Sequence, residues 1–362
     1  MGFFARAGEQ DDGQSEELAR IEAGGIPARA EARLKILGTG GSLFTSGLSV
    51  NEFALLDRLG PKPLGQVMGA SVVRTGWQYL PALEPGRVVV GAGRWYSGGP
   101  TSSGYALNAG FTEASPRQVS NYQWHTTVVC ELETLTDAWN LARRRALDRL
   151  TEEAIQVGAD AVVGVHLHRS DHDLGKGTIE YVVTGTAIRL PGSDGSSWPT
   201  LTDVSVQDYW RLRTAGHEPT GLLATTVAVF ASPGRSTRLQ RARRPRQNRE
   251  LVELSEGFHA ARSAVRTKLL GQVSDYHAAG AVGVELSHEV HRDKLPLASS
   301  LTSSMQRGWH RGRFGIPYRV TGRGDAERRG WVITMHAAGT AIRPGAPGSP
   351  PQIKASMRMR SS

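Results

Sequence analysis

"GADAVVGVHLHRSDHD", residues 158–173, is the stretch from which the fold can be read. It opens on a glycine suited to ending a helix. It then runs through Val162, Val163, Val165 and Leu167, a β-branched and aliphatic series that reads as a buried strand. Just before it, "TDAWNLARRRALDRLTEEAIQVG" (136–158) places Trp139, Ala142, Ala146, Leu150, Ala154 and Val157 at helical spacing. That pattern predicts a long amphipathic helix, with Thr136 capping its start and Gly158 its end. Further out, "LGQVMGASVV" (64–73) predicts a strand before the helix, and a second strand closes on "GTAIR" (185–189). The order is β-α-β-β, one long helix on an antiparallel sheet, and such a sheet has a second face that needs a partner.

The same signals recur downstream. "SVNEFALLDRLGPKPLG" (49–65) aligns without gaps on "SVQDYWRLRTAGHEPTG" (205–221), and each carries a Ser-x-x-acid start, Ser49 with Glu52 and Ser205 with Asp208. This spacing predicts a capped short helix, with Asp the poorer partner, ending at Gly60 or Gly216. "VGV" recurs at 163–165 and 282–284, and "GTAIR" at 185–189 and 339–343. Between them "SEGFHAARSAVRTKLLGQVSDYHAAG" (255–280) repeats the helical stripe at Phe258, Ala261, Val265, Leu269 and Val273. Matching blocks in the same order predict two diverged copies of one unit.

The string "RRRALDRLTEEAIQVGADAVVGV…YVVTGTAIR" resembles the YbjQ-type family, also called the heavy-metal-binding domain. The resemblance is strong over 64–190 and weaker over 219–344, where no acid matches Asp160. It implies an α+β fold of two dodecin-like β-α-β-β units, each an antiparallel sheet with one long helix packed on it, and relatives that assemble into rings. The expected organisation is an N-terminal arm (1–45), either partly disordered or forming two short helices around Gly24 and Gly25, a first unit (46–192) with a Gly- and aromatic-rich insert (81–120), a second unit (203–345) and a disordered basic tail (346–362).

The histidines of the opening stretch are the candidate chemistry. Residues two apart on a strand share a face, so regular alternation puts His166 and His168 with Val162 and Gly164, and turns Val163, Val165 and Leu167 toward the helix. A turn centred near Asp173 places Glu180 opposite His166. His166, His168 and Glu180 then form a donor set suited to zinc, nickel or copper. The alternative is a polar hairpin, solvated or touching another subunit, because the second copy has Glu285, Ser287 and Thr334 at these positions. Its own group, Glu285, His288, Glu289 and His291, is a weaker candidate.

The lone Cys130 leaves no internal disulfide or thiolate cage and is expected in a buried strand. No stretch reads as a transmembrane segment, and the start lacks the apolar core of a secretory signal, so a cytoplasmic protein is expected. The net charge of +9 is carried by Arg, with only six Lys, and concentrates in 232–249, where seven Arg meet no acid. That segment is either a solvated surface or a site for an acidic partner, nucleic acid or anionic membrane surface. "GTGGSLFTSG" (38–47) lacks a phosphate-loop lysine, and no nucleophile–base pattern stands out. The expectation is a non-enzymatic, homo-oligomeric binding module.

Overall fold

The computed structural model describes residues 15–38, 45–76, 88–89, 95–96, 127–171, 177–195, 198–243, 248–296, 309–311, 317–319 and 327–345. The tail 346–362, His172 and Asp173, and all of the 81–120 insert except the paired strands 88–89 and 95–96 lie outside them.

The N-terminal helices α1 (15–22) and α2 (Ala28–Gly38) flank Gly24, whose φ of 99° makes the turn between them. Helix α3 (Val50–Leu59) begins with a complete capping box: Ser49 Oγ accepts from Glu52 N, and Glu52 Oε2 accepts from Ser49 N at 2.8 Å. Strand β1 (Lys62–Arg74), strand β2 (Val128–Glu131), helix α4 (Glu133–Gln156) and the hairpin β3 (Ala161–Asp171) and β4 (Thr178–Arg189) follow. Then come β5 (Thr200–Leu201), α5 (Val206–Thr214), β6 (His217–Ser232), α6 (Arg235–Arg243), α7 (Val252–Asp275), β7 (Gly280–Pro296) and β8 (Glu327–Pro344). At α5 the Ser205 hydroxyl accepts from Asp208 N, and the shorter Asp208 carboxylate takes the Ser205 hydroxyl, not its backbone N–H.

The class is α+β, with two four-stranded sheets ordered β1-β4-β3-β5 and β2-β6-β8-β7. All their pairings are antiparallel except β5 on β3. Helix α4 packs Ala142, Ala146, Leu150 and Ala154 against Val67, Tyr181 and Val183 of the first sheet. The approach at Gly69 is so close that a Cβ there would sit 1.9 Å from the Ala146 carbonyl oxygen. Helix α7 covers the second sheet in the same manner, with Gly257, Ala261 and Val265 over Ala231 and Ile333. Small side chains let both helices sit low, so dispersion contacts form along their length.

Several expectations are corrected. Helix α4 starts at Glu133 without a side-chain cap, and the Thr136 hydroxyl instead accepts from Ala228 N at 3.0 Å. It belongs to a row: Asn140 pairs with both backbone groups of Thr226, and Gln272 of α7 does the same to Ala224. Beyond the reach of β2, these side chains stand in for a missing strand, which satisfies backbone groups that would otherwise be left open at an edge. Strand β2 pairs with β6 of the second sheet. The face of the first sheet turned away from α4 is covered within the chain, by Leu56 of α3 and by Val206 and Tyr209 of α5, over Ala161, Val163 and Ile188. The second sheet's other face meets Leu135 of α4.

Regular alternation along β3 also fails, for a definite reason. Gly164 adopts φ 59° and the register slips between Val163 and His166, so Gly164 and Val165 together oppose Gly185. This is a bulge with a left-handed glycine. Val162, Val165 and Leu167 therefore face α4, while Val163 faces α3 and α5. A Cβ on Gly185 would lie 2.5 Å from Val162 Cγ1. In the second sheet Gly283 has φ 66°, the register slips between Ala338 and Thr340, and Gly339 crowds Val284 in the same way. The repeated "VGV" and "GTA" strings are the two sides of one bulge.

The bulge points two successive amides at the connection between the sheets: Gly164 N–H to Val204 O and Val165 N–H to Thr202 O, each at 2.9 Å. Thr200 and Thr202 return hydrogen bonds to Asp160 O and Val162 O. No helix among the described residues is long and apolar enough to cross a membrane.

Candidate functional site

His166 and His168 are exposed on one face of β3, opposite Thr184 and Val182. Glu180 pairs with Ser170, not His166, and its Oε2 accepts from the Ser170 hydroxyl at 2.7 Å. The register thus differs from the expected one, and four residues of strand, about 13 Å, separate Glu180 from the level of His166. The expected set of His166, His168 and Glu180 does not converge. Among the described residues no three His, Cys, Asp or Glu side chains are placed to hold a metal ion, so the donor set does not fit a metal within one chain's described part. On β7, Glu285, Glu289 and His291 alternate on one face, while His288 stacks edge-on to Phe258 of α7, with ring centroids 5.0 Å apart.

His166 instead opens onto a cleft of about 470 Å³ between β3 and β7, which also takes in Arg169, Asp203, Glu285 and His336. Arg169 donates to Ser287 Oγ at 2.8 Å, tying the two sheets together. Asp203 accepts from the Thr340 hydroxyl. Burial pushes its carboxyl above the usual range, Glu285 adds to this, and Thr340 and His166 oppose it. His336 is buried, with Nδ1 2.9 Å from Thr226 Oγ1, its ring edge-on to Trp139, and Nε2 without a partner. Burial, helped by the Arg169 charge, pushes it down to about 3, so it is a neutral imidazole at physiological pH. These residues come from distant parts of the chain, and no local spacing in the sequence announces Asp203 or His336.

The Arg-rich segment is partly spent inside the fold. Arg241 of α6 forms a two-bond ion pair with Glu253, which is 1% exposed. Cys130 lies buried in β2, and its thiol is pushed up to about 12 by burial, far from a reactive thiolate.

A family model described as "Putative heavy-metal-binding", YbjQ_1, matches residues 121–191. Two UPF0145 proteins are also similar: one of Thermosipho melanesiensis is 36% identical over 64 residues, and OE_4416R of Halobacterium salinarum is 42% identical over 60. The family match and the UPF0145 relatives support a YbjQ-type domain within the chain. The alignments cover 18% and 17% of this chain, and 57% and 56% of those relatives. The encapsulin nanocompartment protein Rv1762c of Mycobacterium tuberculosis is 26% identical over 301 residues, which is 81% of this chain and 92% of that protein. No solved structure matches. The matched segment takes in β2, α4, β3 and β4, and with them the residues that seat the helix and build the bulge.

Proposed function

We propose that the chain is a non-enzymatic assembly module, in which the YbjQ-type domain and a diverged second copy over 203–345 form one dodecin-like two-unit subunit of a homo-oligomer. The observation that carries this reading is the alignment across 92% of a protein named for a nanocompartment, because it extends over far more than the YbjQ-type domain. The matched bulges at Gly164 and Gly283 support the duplication. Strand β7, at the edge of its sheet and exposing Val284 and Leu286, supports further association, since long open edges recruit other chains. Sedimentation velocity and native mass spectrometry on the full, untagged chain test it. A defined multimer is expected, and a lone monomer at micromolar concentration overturns the reading.

The family description also supports metal loading, with imidazoles from His166 and His168 and further ligands from outside one chain's described residues. Elemental analysis of chelator-free protein beside a His166→Ala/His168→Ala variant decides between them. Stoichiometric zinc, nickel or copper that the variant loses carries the metal reading. Assembled but metal-free protein removes it.

A further inference from the structure

A cavity of about 560 Å³ is lined by α4, β5, the start of β6 and the end of α7. We propose that it binds a small organic anion, a carboxylate or phosphate on a compact body, through the guanidinium of Arg143. Arg143 lines this cavity and is 7% exposed, yet its Nη1 has no hydrogen-bond partner and none of the ion pairs among the described residues includes it. The groups that act on its charge are the phenols of Tyr181 and Tyr276 and the neighbouring Arg144, with no carboxylate among them. Asp148 and Asp275 share the lining; burial pushes the Asp148 carboxyl up, and the Arg144 charge opposes that. A guanidinium keeps its proton at neutral pH, and a buried charge without a counter-charge is a standing cost that an incoming anion removes.

A second orphan points the same way. Thr220 is also in the lining, and its Oγ1 is buried without a partner. The Tyr276 ring packs against Gly221, where a Cβ would come within 2.5 Å of it. Trp198, 76% exposed, stands in the same lining and offers a flat face to the ligand's body. The volume is that of a small-molecule site, and the fork of Arg matches two oxygens of a carboxylate or phosphate. This proposal depends on neither assembly nor metal.

The test is titration of benzoate and, separately, inorganic phosphate into the full-length protein by calorimetry at constant ionic strength, with benzamide as the uncharged control. One anion per chain is expected. Binding should weaken by at least about tenfold in Arg143→Met and several-fold in Thr220→Val, with benzamide silent. Preference for benzoate, lost in Trp198→Ala, assigns a carboxylate on a planar body, and preference for phosphate assigns a phosphate ester. If neither anion binds, or if Arg143→Met and Thr220→Val both bind as the wild type does, the proposal is overturned.

Discussion

At the scale of single residues, the glycines of the bulge and the buried histidine make the sharpest claims. Gly164 has open space where a Cβ would go, so Gly164→Ala meets only the cost of a left-handed backbone, about 1–2 kcal/mol. Gly69→Ala drives a methyl into backbone and should cost well over that, about 3 kcal/mol or more. Urea titration of the two variants checks the ranking. His336 makes a pH claim. Its folded value of about 3 lies below the ordinary 6.5, so the unfolded chain takes up a proton first as pH falls. Stability is therefore full above 6.5 and declines toward 3, by up to about 1.4 kcal/mol per pH unit. His336→Gln should flatten the stability–pH curve across that window, and an unchanged slope would show that the imidazole titrates freely. The sequence displays Gly164 only as a repeated letter. Its left-handed backbone, and with it the face shown by each neighbour, comes from strand pairing that spacing alone does not encode.

At the scale of elements, both long helices and the principal strands are legible because their apolar stripes have the right period. The start of α4 is not, because tertiary contacts override the local cap signal: Leu132 already bonds Ala228 O, and Thr136 serves the sheet. Nor is the hairpin register, which an assumed turn centre misplaces and which parts Glu180 from His166. Asn140, a mid-helix residue of modest helix propensity, is a visible clue to the sealed edge of β6. Asn140→Ala strips Thr226 N–H and C=O of their partners at a buried position and should cost about 1–3 kcal/mol. Chemical denaturation reads this directly. Asn140→Leu, similar in size but equally unable to bond, should not restore the loss.

At the scale of the molecule, two units read as successive domains are joined more closely than their order along the chain suggests. Strand β2 belongs to the second sheet, α4 touches both sheets, and Arg169 bridges to Ser287. A single unfolding transition is expected, with fluorescence and far-UV circular dichroism coincident in denaturant. A fragment starting at 203 lacks β2 and α4, bares Phe230 and His336, and should fail to reach the stability of the whole chain. Two separate transitions would show independent domains. None of this crossing is legible in the repeats, because a repeat reports what each copy shares and not how strands are exchanged between them.

The segment from Thr200 to Val204 looks in sequence like a tether, yet its amides and those of the bulge are locked to one another across β3. In deuterated solvent, the amides of Thr200, Thr202, Gly164 and Val165 should be among the last to exchange, waiting for the whole molecule to open. A protease that cuts ordinary connectors would find no purchase there. A pull on the two ends would have to shear this ladder before either sheet gave way.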